Sequence, residues 1–290
     1  IIDLREDPHI KGYFVLLGFA VDEGVYRNHG RIGAREGPAA IRQLLNNLPA
    51  GGLTTNTVVD AGTIRCVDGN LEQAQHELGQ CLAYILDNGG FPVVLGGGHE
   101  VSYGHYQGLR KALQGKIGII NFDAHFDIRS PDPDGNSGTS FFQIAKNEQQ
   151  RAGSFHYLAI GIQAVSNTQL LYERAQRFNV RWISRDRFHP MYEQQVSETL
   201  LAFIEEIDHL YITVDMDVFA SAFAPGVSAP AYNGIIPDTY FLEVFDGLIK
   251  SPKLRSIDFA ELNPTFDRDM CTARLAAELI FRALQSRYKI

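Results

Sequence analysis

Short apolar runs alternate with longer segments of helical spacing along this chain. The run at 117–122 is mostly apolar, which is typical of a strand covered on both faces. The segment at 71–88 instead repeats its apolar residues every three or four positions, as an amphipathic helix does. Strands are predicted at 13–19, 57–60, 91–95, 117–122, 157–162, 180–183, 210–214 and 254–259. Helices are predicted at 39–47, 71–88, 101–113, 168–178, 192–207, 237–249 and 269–288, with another beginning at 141–146.

This alternation predicts an α/β fold with three layers, in which helices cover both faces of a mainly parallel sheet of about eight strands. No proline- or serine-rich linker divides the 290 residues, so one domain over 1–290 is the simplest prediction. Ligands of open parallel sheets bind beyond the carboxyl ends of the strands. Functional side chains are therefore expected at those ends.

Three side chains that often bind metals follow the predicted strand at 117–122. They are Asp123, His125 and Asp127, and their alternate spacing allows all three to point to one side of an extended backbone. A buried strand seldom ends in two carboxylates and an imidazole unless a cation neutralises them. A capped helix start or a polar loop is the alternative interpretation.

Two further strand ends carry the same chemistry. Asp215 and Asp217 follow the run at 210–214, again two positions apart, and His99 follows the run at 91–95 through three glycines. One such pattern could arise by chance, whereas its repetition at three strand ends favours a metal centre.

The number and type of these side chains favour two divalent cations. Four carboxylates balance four positive charges, and an oxygen-rich set without thiolate favours Mn²⁺ over zinc. Two such ions can share and activate a water molecule. We expect one ion among His99, Asp123, Asp127 and Asp215, and the other among Asp123, His125, Asp215 and Asp217.

One more carboxylate, Glu261, follows the predicted strand at 254–259. A carboxylate at the rim of the site that binds no metal could hold a cationic amidine or guanidine for attack. A helix cap or a solvated loop residue is the alternative that the residues alone leave open.

Composition excludes some classes of partner. The net charge is −8 without a cluster of Lys or Arg, which argues against nucleic acid, and no apolar stretch approaches a membrane span. Cys66, Cys81 and Cys271 are few and widely separated, as expected of reduced thiols in the cytoplasm. The charged stretch at 1–7 does not resemble a signal peptide. A small molecule is the expected partner, and a homo-oligomer stays open beside a monomer.

Four segments resemble, in order, the signatures of the ureohydrolase family, which includes arginases and agmatinases. They are 96–100 (Gly-Gly-Gly-His-Glu), 122–127 (Phe-Asp-Ala-His-Phe-Asp), 215–217 (Asp-Met-Asp) and 261–264 (Glu-Leu-Asn-Pro). The resemblance spans nearly the whole chain. It implies an arginase-like α/β/α fold, a binuclear Mn²⁺ centre and hydrolysis of a linear guanidine or amidine C–N bond. It also implies metal ligands at the six positions above and a substrate-holding acid at Glu261.

The departures from the arginase pattern point to one branch of that family. Arginases usually have Gly-Gly-Asp-His-Ser where this chain has Gly-Gly-Gly-His-Glu, and a proton-shuttling His near the place of Ser137. Arg129 replaces a short amide. These features resemble the branch that converts N-formimidoyl-L-glutamate to L-glutamate and formamide in histidine degradation.

A substrate with two carboxylates suits Arg129, whose guanidinium can bind a carboxylate through two hydrogen bonds. Asn136 and Ser137 could add hydrogen bonds, although ordinary turn residues fit equally well. A surface salt bridge is the alternative for Arg129. Asp127 and the attacking water both stay open as the source of the proton for the leaving amine.

Three rival functions stay open at this point. The first is an agmatinase or guanidinobutyrase-like hydrolase, which Arg129 disfavours. The second is a deacetylase-like enzyme with one zinc, which would not need both Asp215 and Asp217. The third is a non-catalytic family member, which would have no reason to keep six metal ligands.

Overall fold

Eight parallel strands form one continuous sheet in the computed structural model, which describes residues 10–49 and 57–288. The charged stretch at 1–7 lies outside the described residues. The strands are β1 (Phe14–Ala20), β2 (Val58–Arg65), β3 (Phe91–Leu95), β4 (Ile117–Phe122), β5 (His156–Ile162), β6 (Arg181–Ser184), β7 (His209–Asp215) and β8 (Leu254–Ala260).

The α-helices of the described residues lie between these strands, except for the last one, which follows β8. They are α1 (Glu23–Arg27), α2 (Gly37–Leu45), α3 (Leu71–Asp87), α4 (Val101–Ala112), α5 (Ser140–Gln150), α6 (Gln169–Arg177), α7 (Glu193–Glu205), α8 (Thr239–Ile249) and α9 (Cys271–Tyr288). Within the part of the chain that the structure describes, no helix combines the length and the apolar character needed to cross a bilayer.

The helices cover both faces of the sheet, so the prediction of three α/β/α layers is confirmed. One face packs against α2, α7, α8 and α9 through an apolar core that includes Phe122, Val214 and Phe259. The other face packs against α3, α4, α5 and α6 through two smaller apolar clusters. Burial of both faces explains why strands such as β4 are mostly apolar.

The strand order is β2-β1-β3-β8-β7-β4-β5-β6, and every pairing between these strands is parallel. The four central strands, β3, β8, β7 and β4, are those whose ends carry the candidate functional residues. The connection from β3 to β4 skips two positions of the sheet, which β8 and β7 later fill. From β4 the chain continues to β5 on one side, whereas from the neighbouring β7 it continues to β8 on the other side, so the direction of the connections changes between β4 and β7. Ligand sites of doubly wound sheets lie beyond the strand ends at such a change of direction.

Most predicted elements are observed, with differences at their ends. The bounds of β3 and β4 agree with the prediction, whereas β2 continues to Arg65 and α5 continues to Gln150. The prediction missed α1, because five residues are too few to show an apolar period. Residues 225–230 connect β7 to α8 without helix or strand, as expected.

A tight glycine turn places His99 at the carboxyl end of the sheet. Gly96 donates a backbone hydrogen bond to Phe259 (2.8 Å), and Gly98 donates one to Val21 (2.9 Å). The turn therefore passes between the ends of β1 and β8. A Cβ atom at Gly97 would lie 1.7 Å from the backbone oxygen of Val21, so only glycine fits this position.

We expect Gly97→Ala to lower the free energy of unfolding by at least 1–3 kcal/mol (an order-of-magnitude estimate), because backbone would have to move. Gly247→Ala is the matched control. A Cβ there meets nothing within 4 Å, and helix α8 should gain about 0.5–1 kcal/mol from alanine. Urea titrations of both variants measure the difference, and equal stabilities would contradict the role given to the turn.

Candidate metal centre

The six predicted ligand side chains come together at the carboxyl ends of β3, β4 and β7. Four of them are at most 2% exposed, and the remaining two are partly exposed. The buried four are His99, Asp123, Asp215 and Asp217, and the other two are His125 and Asp127.

The first group surrounds the imidazole of His99. Its Nδ1 atom lies 3.2 Å from Asp123 Oδ2, 2.9 Å from Asp127 Oδ2 and 3.1 Å from Asp215 Oδ2. One ligand atom from each of these four residues lies within 4.8 Å of the others, a spacing that could hold a cation. This is the set expected for the first ion.

The second group consists of Asp123, His125 and Asp217. His125 Nδ1 lies 3.4 Å from Asp123 Oδ1 and 3.2 Å from Asp217 Oδ2. Asp123 thus turns one oxygen toward each group. Asp215 is absent from this second group, and its Oδ1 accepts a hydrogen bond from the backbone amide of Asp217 (2.8 Å). The sharing of Asp215 between two ions stays a prediction.

The same local turn shapes two of the strand ends. Asp123 Oδ1 accepts a hydrogen bond from the backbone amide of His125 (2.7 Å), as Asp215 does from Asp217. In each pair an aspartate accepts from the amide two residues later, which bends the chain after the strand and helps to bring both side chains to the site. Asn121, within β4, donates a hydrogen bond to Asp123 Oδ2 (2.9 Å) and so helps to fix the orientation of that carboxylate.

Electrostatics shows that the cluster fits divalent cations. Burial raises the pKa of Asp215 well above its usual range, and repulsion from Asp217 and Asp123 adds to the effect. Burial opposes a charge on His99, yet its carboxylate neighbours hold the pKa of the imidazole well above its usual range. No described lysine or arginine pairs with these carboxylates. The acids can all ionise only if positive charge is supplied.

The orientation of His99 adds a second test of the fit. Its Nδ1 is buried and makes no hydrogen bond of good geometry, although three carboxylate oxygens lie within 3.2 Å. Nitrogen and oxygen lone pairs that converge in this way, without thiolate, suit a hard or borderline divalent metal. The residues present therefore fit the two-cation interpretation.

Glu261 reaches the same region from the end of β8. Its Oε1 accepts a hydrogen bond from the backbone amide of His99 (2.8 Å), and its Oε2 is buried without a partner among the described residues. The residue is 4% exposed and has φ of +64°, an uncommon conformation for a non-glycine residue. Burial, followed by repulsion from Glu100, raises the pKa of Glu261 well above its usual range. A solvated loop position is therefore excluded.

Arg129, Ser137 and Asn136 occupy the loop between β4 and α5. Arg129 Nη1 donates to Asn28 Oδ1 (2.9 Å), and Asn28 Nδ2 donates to Ser137 Oγ (3.0 Å). The structure thus brings Arg129 and Ser137 together through a side chain of the loop after α1. Asn136 uses its Oδ1 to accept from the amide of Gly138 (3.0 Å), which is a turn-stabilising contact.

Sequence reasoning missed the part played by Glu100. This side chain is fully buried, its Oε1 accepts a hydrogen bond from the amide of Gly24 (2.9 Å), and burial raises its pKa to about 8. Glu100 thereby attaches α1, and with it Asn28, to the glycine turn beside His99. The available signal was an acid directly after a metal-ligand candidate in an otherwise apolar and glycine-rich stretch.

Three comparisons with known proteins agree on one family. The model of the arginase family matches residues 13–285. A formimidoylglutamase from Ralstonia nicotianae is 44% identical over 95% of this chain and 85% of its own length. The structure of Bacillus subtilis formimidoylglutamase superposes with a TM-score of 0.85, with 26% identity over 95% of this chain and 87% of that one. Trypanosoma cruzi formiminoglutamase with Mn²⁺₂ gives 0.82, with 27% identity over 94% of this chain and 92% of that one. With its fold, its signatures and these relatives in agreement, this chain belongs to the arginase family.

Proposed function

We propose that this protein is a formimidoylglutamase, which hydrolyses N-formimidoyl-L-glutamate to L-glutamate and formamide in histidine degradation. The observation that carries the reaction class is the buried cluster of acids and imidazoles beside the unpartnered Oε2 of Glu261. The relatives from Ralstonia nicotianae and Bacillus subtilis support the choice of substrate. We propose one catalytic domain, because a single sheet and a single family match span the described chain.

Six side chains would hold two Mn²⁺ ions in this proposal: His99, Asp123, His125, Asp127, Asp215 and Asp217. The Trypanosoma cruzi structure with Mn²⁺₂ supports the choice of metal. When bound, such a pair supplies Lewis acidity that makes water a nucleophile near neutral pH. The remaining steps rest on the side chains of this chain.

Glu261 holds the formimidoyl end of the substrate. The amidine is cationic at neutral pH, and a carboxylate is the side chain that binds such a group by charge-assisted hydrogen bonds. Oε1 is already engaged by the amide of His99, so Oε2 is the oxygen that accepts from the amidinium. The approaching positive charge favours the ionised form of this buried acid.

Arg129 binds a carboxylate of the glutamate part. Asn28 accepts a hydrogen bond from Nη1 and so limits the rotation of the guanidinium, while the side chain stays exposed. Fixing a long side chain before the substrate arrives lowers the entropy cost of binding. Ser137, which contacts the same Asn28, and the side-chain amide nitrogen of Asn136 add hydrogen-bonding groups along this rim.

Asp127 moves the proton. It is the partly exposed member of the four clustered aspartates, which suits a group that takes a proton from the attacking water and returns it to the substrate. Water adds its oxygen to the formimidoyl carbon, Asp127 passes the released proton to the glutamate nitrogen, and the C–N bond to that nitrogen breaks. The products are formamide and L-glutamate, so all atoms balance.

We also propose a cytoplasmic location for the enzyme. Cys66, Cys81 and Cys271 are free thiols in the structure. Unpaired cysteines suit a reducing compartment.

A substrate panel tests the function directly. With Mn²⁺ present, we expect formamide release from N-formimidoyl-L-glutamate and no urea from arginine, agmatine or guanidinobutyrate. Agmatine has no carboxylate for Arg129 to bind, and neither arginine nor guanidinobutyrate has a carboxylate on the carbon that bears the guanidine nitrogen, as glutamate has on its α-carbon. Urea release from agmatine, with no formamide from the first substrate, would contradict the proposal.

We expect Arg129→Ala to raise KM by about 10-fold or more and to change kcat by less than about 3-fold. A charge-assisted hydrogen bond contributes about 1.5–3 kcal/mol, and here the substrate and the transition state would lose it equally. Arg177→Ala, an exposed change at the end of α6, is the control and should leave both constants unchanged. An unchanged KM in the Arg129 variant would remove that residue from the substrate site.

We expect Asp217→Asn to lower the bound Mn²⁺ from two per chain to about one, because the second group loses a charged ligand. The rate should fall by more than about 10-fold, the loss that follows even from changing an outer partner of a metal ligand. Asp186→Asn, which removes an exposed carboxylate, serves as the control. Metal analysis after dialysis measures the stoichiometry, and two tightly held ions in the Asp217 variant would refute this ligand assignment.

A further inference from the structure

A buried polar network lies behind the candidate metal centre, on the sheet face that packs against α4. The residues of β7 and β8 alternate in direction, so that one set of side chains joins the apolar core on the opposite face. The other set is polar and meets α4 and the glycine turn. All seven members of the network are at most 3% exposed, and His99 is the only one that also belongs to the metal cluster. They are His99, Ser102, His105, Tyr211, Thr213, Ser256 and Asp258.

Asp258 is the acceptor at the centre of this network. Thr213, its register partner on β7, donates to Asp258 Oδ1 at 2.6 Å, and the Tyr211 hydroxyl donates to Oδ2. His105 Nδ1 lies 2.6 Å from Oδ2. Burial, together with the adjacent carboxylate, raises the pKa of Tyr211 well above its usual range, so its hydroxyl keeps the proton that it donates. These contacts leave the carboxylate as a hydrogen-bond acceptor toward Thr213.

Thr213 connects this acceptor to the metal cluster. Its hydroxyl has a single proton, which goes to Asp258. The Thr213 oxygen must therefore accept a hydrogen bond from its other close neighbour, His99 Nε2, at 3.0 Å. Ser102 Oγ approaches the same oxygen at a longer distance of 3.3 Å.

The direction of these hydrogen bonds determines which nitrogen of His99 carries the proton. If Nε2 donates to Thr213, a neutral His99 keeps a free lone pair on Nδ1. Nδ1 is the atom that faces the oxygens of Asp123, Asp127 and Asp215 at 2.9–3.2 Å. The partner of one ring nitrogen commonly fixes the tautomer that a metal-binding histidine presents.

We infer that Thr213 and Asp258 are positioning residues that hold His99 in the tautomer required to bind one of the two cations through Nδ1. The inference rests on the proposed function only in assuming that the cluster binds Mn²⁺. His125 does not contact this network, so the second group provides an internal reference. Loss of the Thr213 hydroxyl should weaken the ion at His99 and spare the ion at His125.

Mn²⁺ binding to the full chain, stripped with a chelator and without substrate, tests the inference. Electron paramagnetic resonance of free Mn²⁺ gives the number of sites and the affinity of each. We expect two tight sites in the unmodified protein. Thr213→Val keeps the shape of the side chain without its hydroxyl, and it should weaken one site by about 10- to 100-fold. Thr213→Ser keeps the hydroxyl and should retain both sites.

Asp258→Asn provides an independent test should the valine variant fail to fold. The Tyr211 hydroxyl donates to Oδ2, and a ring nitrogen of His105 also faces that atom, so the side-chain oxygen of the asparagine should occupy the Oδ2 position. The NH₂ group of the asparagine should then occupy the Oδ1 position and face Thr213. Thr213 would then donate to His99 Nε2 and move the histidine proton to Nδ1. The expected result is again one weakened site. Thermal unfolding in the chelator shows whether each variant is folded.

Several results would overturn the inference. Two unweakened sites in a folded Thr213→Val or Asp258→Asn variant would show that the network does not control His99. Equal losses in the serine and valine variants would show that packing, rather than the hydroxyl, is responsible. An unmodified chain that binds no Mn²⁺ would also overturn it. Two tight sites with no release of formamide would instead defeat the proposed substrate and leave the role of Thr213 intact.

Discussion

Four aspartates that meet beside two histidines impose the constraint on which the rest of this structure depends. Each carboxylate loses hydration on burial and is repelled by its neighbours, which raises the pKa of Asp215 in particular. Such a cluster persists only where the backbone is held firmly and positive charge can be bound. The four central strands meet the first requirement, because each site segment follows directly from a strand that is hydrogen-bonded on both sides.

The two faces of those strands have different roles. On one face, Phe122, Val214 and Phe259 pack into the apolar core that stabilises the sheet. On the other, the same register aligns Thr213 with Asp258 and places both under α4. The metal-site carboxylates and the polar groups behind them are thus aligned by the strand pairing that also builds the core. Glu100 and Asn28 extend this alignment to α1 and the substrate rim.

Much of this arrangement could be predicted from local sequence patterns. The bounds of β3 and β4 agree with the prediction, and the spacing of Asp123, His125 and Asp127 predicts the shared side that the structure shows. The roles of Glu100 and Asp258 were not predictable in this way. Their partners lie 76 and 45 residues away, and contacts of that kind leave no periodic signal in a single sequence. Helix α1 was missed for a different reason: its five residues are too few to show an apolar period.

The position of β8 has a consequence for how the chain matures during synthesis. This last strand lies between β3 and β7, so the centre of the sheet stays open until residue 260 has left the ribosome. Until then β3 and β7 each present an unpaired edge to the cell, the kind of edge at which nascent chains associate wrongly. Pairing of β8 closes both edges in one step and brings Glu261 to His99, so the same strand completes the sheet and the candidate site.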